Sequence, residues 1–186
     1  MKKFALIAVV AALAIPFAAQ AEGSYLGVNV GSAKQKASVN GASGSERDTA
    51  AKIYGGYNFD KNFGIEAGYA DFGNAKKSYS NGDSFSIKSH AFYVAGTATA
   101  PINDQFAVFA KLGVTANRSK IDVTSNGVSG NATKNNTDVI VGVGASYAIN
   151  NQLSAVAEYE NFGKVAKGNG GDIKAEMYSV GLRYKF

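Results

Sequence analysis

The last ten residues of the chain, 177–186, read MYSVGLRYKF and decide the fold. Large apolar and aromatic side chains occupy every second position, and mostly small, polar or basic side chains lie between them. Because successive side chains of a β-strand point to opposite faces, this alternation predicts a strand with one face suited to hydrocarbon. That face carries Tyr178, Val180, Leu182, Tyr184 and Phe186, and the other carries Met177, Ser179, Gly181, Arg183 and Lys185.

Two earlier segments divide in the same way. In residues 63–69 the apolar side chains alternate with Glu66 and two glycines, and in residues 110–115 they alternate with Lys111, Gly113 and Thr115. The charged residues therefore share a face with glycine, whereas a water-soluble barrel keeps its inner face apolar. This inverted arrangement predicts a transmembrane β-barrel with a polar interior.

Similar segments recur along the whole chain, so we predict an all-β fold, an eight-stranded antiparallel up-and-down transmembrane β-barrel. Three short turns centre on the equivalent residues Asp60, Asn103 and Asn150. The predicted strands span residues 24–32, 50–59, 63–72, 85–100, 106–117, 137–149, 153–162 and 173–186. Long connections rich in Gly, Ser, Asn and Lys span residues 33–49, 73–84, 118–136 and 164–172. This asymmetry predicts four extracellular loops, with the short turns and both termini in the periplasm.

The start of the chain has the pattern of an export signal. Lys2 and Lys3 precede an apolar run that ends in Ala19-Gln20-Ala21, which predicts a cleaved signal peptide at residues 1–21 and a barrel domain at residues 22–186. The alternative, a membrane anchor, is disfavoured because the run is short and contains a proline. The expected location is the outer membrane of a Gram-negative cell.

Composition excludes several other classes of protein. The chain has no Cys, which rules out a disulfide framework, a thiol nucleophile and a Cys-based metal site. Its formal net charge of +5 comes from scattered Lys and Arg, so nucleic acid is not an expected partner. Neither a metal site nor a cofactor is predicted, and we expect a monomer.

The predicted interior contains charges of both signs. Because eight strands enclose a space that side chains fill, we predict a packed lumen with an internal salt-bridge network instead of an open pore. Its members are Lys52, Glu66, Lys111, Glu158 and Arg183.

Basic residues outnumber acidic ones in the predicted loops. Lipopolysaccharide phosphates are plausible counterions for them, and Lys76, Lys77, Arg118 and Lys120 are the candidate contacts. The alternative, that these charges only keep the loops soluble, has equal weight.

Several short stretches, taken in their order along the chain, resemble the transmembrane domain of outer-membrane protein A and its small single-domain relatives. The similar stretches are Gly55-Gly56-Tyr57, Phe63 through Tyr69, Lys111-Leu112-Gly113, Tyr147-Ala148-Ile149, Glu158-Tyr159 and Tyr184-Lys185-Phe186. The resemblance implies an eight-stranded barrel assembled with periplasmic chaperones and the outer-membrane insertion machinery, which reads a terminal aromatic strand. Here that assembly signal corresponds to Tyr178, Val180, Leu182, Tyr184 and Phe186. The peptidoglycan-binding domain of longer relatives would follow the barrel and is not expected.

Three functions follow as hypotheses. We favour a structural or surface-interaction protein, a rigid barrel that contributes to envelope integrity or adhesion through a host or surface ligand that the loops do not identify. The second is a narrow passive channel for small solutes. Family members with channel behaviour pair an interior acid with basic residues, and the positions that correspond to the basic residues are Thr97 and Val156 here, so a gate of that design is not expected.

The third hypothesis is a lipid A-modifying enzyme centred on the single histidine, His90. It is disfavoured because the neighbour of His90, Ser89, lies on the opposite strand face. No catalytic residue is predicted.

Overall fold

The computed structural model describes residues 23–39, 42–78, 84–125, 128–168 and 171–186. Eight strands, each antiparallel to its neighbours, follow one another in chain order and close into a barrel in which β1 pairs with β8. The predicted fold class is therefore confirmed, whereas the predicted signal peptide at residues 1–21 lies outside the described residues. None of the described residues forms a helix long and apolar enough to cross a membrane. The strands are β1 (Ser24–Val39), β2 (Ala42–Asn58), β3 (Phe63–Ser78), β4 (Ser84–Pro101), β5 (Phe106–Ser125), β6 (Val128–Ala148), β7 (Leu153–Gly168) and β8 (Gly171–Lys185).

The long connections were wrongly predicted as loops. The segments at 33–49, 73–84, 118–136 and 164–172 consist mostly of strand, because the ladders of the barrel continue through them. Strand β5, for example, runs eight residues past its predicted end and remains paired with β6 as far as Ser125. Polar composition therefore marked where the apolar face ends, not where the hydrogen-bonded ladder ends.

The two faces of the barrel follow the predicted alternation. On β8 the predicted apolar face is exposed at Tyr178, Val180, Leu182 and Tyr184, while Met177 and Ser179 are buried in the lumen. An exposed apolar face over a buried polar one suits a barrel that is surrounded by hydrocarbon. Lys185 departs from the prediction: it is exposed at the rim because the strand ends there.

The three short turns share one hydrogen-bonding design. The Asp60 carboxylate accepts hydrogen bonds from the backbone N–H groups of Asn62 and Phe63, both at 2.7 Å. Asn103 and Asn150 accept the corresponding pair of bonds in their own turns. These bonds also lower the pKa of Asp60, since they favour its charged form. The equivalence of the three turns that the sequence predicts is thus present in atomic detail.

Two β-bulges, in β3 and β7, are also alike. Each is formed by an Asx-Phe-Gly triplet, whose glycine has a positive φ, 78° at Gly73 and 64° at Gly163. The Asx side chain accepts a hydrogen bond from the N–H of that glycine, at 2.8 Å from Asp71 and 2.9 Å from Asn161. A residue with a Cβ atom rarely adopts this backbone conformation, which explains why glycine stands at both positions.

Candidate functional site in the lumen and at the outward rim

The centre of the lumen holds a cluster of ion pairs. The Lys111 ammonium lies 2.6 Å from Glu66, 2.8 Å from Glu158 and 3.2 Å from Glu160. Lys52 lies 2.5 Å from Glu158 and 2.8 Å from Glu160. All five side chains are fully inaccessible to solvent, with a relative exposure of 0%. Each lysine therefore bridges at least two carboxylates that water does not reach.

Arg183 and tyrosine hydroxyl groups complete the cluster. The Arg183 guanidinium lies 3.6 Å from Glu66 and 4.5 Å from the centre of the Tyr25 ring. The Glu66 carboxylate also accepts hydrogen bonds from the hydroxyls of Tyr93, at 2.7 Å, and Tyr25, at 3.0 Å. Lys52 stacks over the ring of Tyr54 at 4.6 Å. Three cations thus face three carboxylates, which is the balance that a poorly hydrated interior requires. We call these six charged residues, Lys52, Glu66, Lys111, Glu158, Glu160 and Arg183, the lumen cluster.

The structure brings together all five interior residues named from the sequence and adds residues that the sequence analysis left out. Glu160 was not among the five named members, although its spacing of two from Glu158 placed it on the same inward face and beside the same ion network. Tyr54 was omitted as well, because aromatic residues were assigned to the lipid face. Its spacing of two from Lys52 was the signal that could have placed it inside.

An apolar layer adjoins the lumen cluster. The phenylalanines of the two bulges meet there, with the Phe72 and Phe162 ring centroids 4.8 Å apart, and Phe162 also contacts the ring of Tyr93 at 6.0 Å. Ile140 and Met177 are fully buried in the same apolar core. Thr97 and Val156, which the resemblance matched to the basic gate positions, are buried too. The lumen is therefore filled by side chains in both its ionic and its apolar parts.

The outward face beyond the apolar band is basic on β4 and β5. The register sets Lys88 directly opposite Lys120 and His90 directly opposite Arg118. Lys88, Arg118 and Lys120 are exposed, and they lie on the same face as the exposed ring of Phe92. Two of the four predicted lipopolysaccharide contacts, Arg118 and Lys120, thus lie side by side on the outer surface. The other two, Lys76 and Lys77, belong to β3, but their side chains are outside the described residues.

His90 and Ser89 lie on opposite faces of β4. Ser89 is buried and hydrogen-bonded to Gln35, at 3.1 Å, and to Ser119, at 2.9 Å, whereas the His90 ring lies 5.8 Å from that of Tyr69 on the outer surface. The two side chains do not form a nucleophile and base pair. Among the described residues, no group of three or more His, Cys, Asp or Glu side chains is arranged to hold a metal ion.

The end of β8 closes the barrel. The backbone N–H of Phe186 donates to the carbonyl of Ser24 at 3.0 Å, which joins the last residue to the first strand. The Phe186 ring packs against Tyr184 with centroids 5.0 Å apart. Other exposed aromatic residues stand at the same end of the barrel, namely Tyr57, Phe59, Phe63, Phe106 and Tyr147. Such a girdle of aromatic side chains is typical of the level where lipid headgroups begin.

A closed barrel with a lipid-compatible outer face and a charged, filled lumen defines a transmembrane β-barrel of the outer-membrane class. The chain belongs to the OmpA-like transmembrane domain family, whose family model matches residues 19–186. The resemblance drawn from the sequence is therefore confirmed, and the protein is an outer-membrane barrel.

Solved structures of bacterial outer-membrane proteins share the fold. The attachment invasion locus protein Ail of Yersinia pestis, in complex with the heparin analogue sucrose octasulfate, matches with a TM-score of 0.60 and 17% identity over 87% of this chain and 99% of that chain. Neisserial surface protein A matches with a TM-score of 0.60 and 22% identity over 89% of this chain and 98% of that chain. OprG from Pseudomonas aeruginosa matches with a TM-score of 0.59 and 17% identity over 89% and 97%, respectively. A comparison with curated protein sequences found no match.

Proposed function

We propose that the protein is a structural and surface-interaction barrel of the outer membrane, and not a conduit. The observation that carries this proposal is the filled lumen: fully buried ion pairs join β2 to β7 and β5 to both β3 and β7, and an aromatic layer adjoins them. A charge-balanced interior of this kind ties strands together across the barrel, and in the part of the chain that the structure describes its side chains occupy the space that a solute would need. The barrel then serves as a rigid support for the ends of its strands.

Conductance across a planar bilayer tests this proposal directly. We expect the purified barrel to give no steps above the baseline over the voltage range in which a general porin conducts. A parallel gel assay for the compact, heat-modifiable form would verify that the inserted protein is folded. Reproducible single-channel steps from folded protein would favour the passive channel instead.

The proposed orientation places the turns at Asp60, Asn103 and Asn150 and both termini in the periplasm, with the opposite strand ends outside the cell. Those strand ends extend well beyond the apolar band. For example, β5 from Arg118 to Ser125 remains paired with β6 from Val128 to Asn135. An epitope tag inserted between Ser125 and Val128 should bind antibody on intact cells. The same tag inserted after Asn103 should bind only after the outer membrane is permeabilised, and the reverse pattern would invert the orientation.

We further propose that Arg118, Lys120 and Lys88 contact lipopolysaccharide phosphates, together with Lys76 and Lys77. The support is the direct opposition of Lys88 and Lys120 on adjacent strands, since like charges in this position repel unless an anion lies between them. The anionic sugar in the structure of the fold relative Ail is consistent with a polyanion at such a barrel. Binding of intact lipopolysaccharide should exceed binding of the dephosphorylated form, and Arg118→Gln with Lys120→Gln should reduce that difference.

The terminal residues Tyr178, Val180, Leu182, Tyr184 and Phe186 are proposed to be the signal that the insertion machinery reads, after periplasmic chaperones have delivered the chain. Four of them are exposed on one face of β8, and Phe186 is half-buried at its end.

A further inference from the structure

Four basic side chains stand in two neighbouring rows on the outward surface of β8, β1 and β2. The register places Lys34 directly opposite Arg47 and Lys36 directly opposite Lys174. All four lie on the strand face that also carries the exposed side chain of Val30, and Arg47 and Lys174 are themselves exposed. We call Lys34, Lys36, Arg47 and Lys174 the β1 basic patch. It is separate from the β4 and β5 surface because strands β6 and β7 on one side and β3 on the other intervene.

The β1 basic patch holds two pairs of like charges at positions where they repel. Directly opposed residues on adjacent strands are the closest side-chain neighbours in a sheet, and like charges there are destabilising. Among the described outward side chains of these rows, the acidic one is Glu176, which lies opposite Lys34 and accepts a hydrogen bond from Lys36 at 2.7 Å. One carboxylate cannot balance four cations, so the surface is arranged to receive an additional anion.

The position of the patch along the barrel indicates the source of that anion. Lys174 is ten residues from Tyr184, and ten residues of a strand tilted by 35–45° rise about 25 Å, which is roughly the height of the apolar band of an outer-membrane barrel. On the same face, the rings of Tyr159 and Tyr178 form a pair with centroids 4.7 Å apart, between the patch and the apolar band. Aromatic pairs of this kind stand at the level of lipid headgroups. The patch therefore lies where the phosphates of a membrane lipid would be.

We propose that the β1 basic patch is a second binding site for a phosphorylated glycolipid headgroup, that of lipopolysaccharide, in the leaflet opposite the periplasmic turns. The opposed cations hold its phosphate groups between the strands, and the exposed Val30 and Val180 below them contact its acyl chains. This inference rests on the orientation given under the proposed function, but it concerns different residues from those on β4 and β5.

The test compares charge-neutralised variants of the barrel in vesicles of zwitterionic phospholipid. The variant Arg47→Gln with Lys174→Gln removes one cation from each opposed pair, and Lys61→Gln, in an exposed turn at the other end of the barrel, is the matched control. We expect the double variant to bind lipopolysaccharide about 30-fold more weakly, at about fivefold for each basic residue at a lipid surface. The control should bind as the wild type does. Without lipopolysaccharide, the double variant should unfold at an equal or higher urea concentration, because the repulsion has been removed.

The other outcomes separate this inference from the proposed function. If the Arg118→Gln and Lys120→Gln variant loses all phosphate-dependent binding while the Arg47→Gln and Lys174→Gln variant loses none, the site on β4 and β5 stands and the β1 basic patch is not a site. Binding of dephosphorylated lipopolysaccharide equal to that of the intact form would overturn both. Equal saturation by phosphatidylglycerol vesicles would show that any anionic lipid fills the patch and would overturn the assignment to a glycolipid.

Discussion

The lumen cluster makes a quantitative prediction about the coupling between Lys111 and Glu158. Lys111→Met leaves three buried carboxylates with only two cations, and Glu158→Gln leaves three lumen cations, of which Arg183 is partly exposed, with two carboxylates. Breaking a buried pair from one side costs about 3–5 kcal/mol, since the remaining charge stays in a poorly hydrated site. The double variant keeps two cations and two carboxylates. Its loss of unfolding free energy should therefore fall short of the sum of the single losses by about 1–3 kcal/mol.

Urea unfolding in phospholipid vesicles, followed by far-ultraviolet circular dichroism and by the gel shift of the folded form, measures all four corners of this cycle. Lys61→Met is the matched control, because Lys61 lies exposed in a turn and should leave the urea midpoint unchanged. Losses that add without any shortfall would refute the reasoning, because the 2.8 Å contact between Lys111 and Glu158 would then contribute no net coupling.

Three further predictions concern the bulge, the chain end and the turns. Gly163→Ala should lower the free energy of unfolding by about 1–3 kcal/mol in the same urea assay. The reason is that the φ of Gly163 is 64° and an added Cβ would meet a neighbouring side chain at 2.7 Å. Gly130→Ala is the control and should leave the free energy of unfolding unchanged, because the space around Gly130 is open. Phe186→Ser should reduce the amount of barrel recovered from outer membranes, yet leave the urea midpoint of refolded protein nearly unchanged. Phe59→Ser, in the same aromatic girdle, is the control and should leave the recovered amount unchanged. An equal loss of recovered barrel in both variants would exclude the assembly role of Phe186. At pH values above the ordinary carboxyl pKa the charged Asp60 stabilises the fold, and this stabilisation is lost as the pH falls through the lowered pKa of Asp60 in the folded state. Asp60→Asn should therefore make the free energy of unfolding fall less steeply with decreasing pH. An unchanged fall at acid pH would count against the turn design.

The alternation of side chains predicted which faces meet lipid, but it could not predict how far the strands run. The sequence pattern reports hydrophobicity, and hydrophobicity differs between the two faces only within the membrane band, although burial still alternates beyond it, as at buried Ser119 beside exposed Lys120. Beyond it both faces carry polar residues, so residues such as Asn135 and Lys120 have the composition of a loop while their backbones remain paired. The ladder persists there because the closed barrel already holds each strand beside its partner, so extending the pairing needs no further loop closure.

Within the membrane band, the sequence predicted the charges of the lumen better than its aromatic residues. In a strand that crosses hydrocarbon, a charged side chain is tolerated only on the lumen face, so Glu66 and Lys111 were placed there without ambiguity. A tyrosine has two acceptable environments, the headgroup level and a polar interior that hydrogen-bonds its hydroxyl, so the composition of Tyr54 or Tyr93 does not decide its face. The position relative to a neighbouring charge decides it, provided that the strand between them is regular.

The two Asx-Phe-Gly bulges show where that condition fails and what the irregularity achieves. Before the bulge of β3, Asp71 lies opposite His90, but after it the partner of Lys88 is Asn74, so the outward face moves by one position. The same shift in β7 separates Asn161 from Lys164. In β3 a strict period of two therefore assigns the wrong face to the residues that follow the bulge, whereas in β7 a second register shift, between Lys164 and Ala166, follows the first. Both bulges lie at the inner end of the polar strand extensions, and the phenylalanine of each keeps the inward position of the preceding alternation, so the rings of β3 and β7 meet in the lumen. The same local motif therefore occurs on two strands: its phenylalanines complete the apolar layer of the lumen, and the residue that it inserts shifts the outward face by one position.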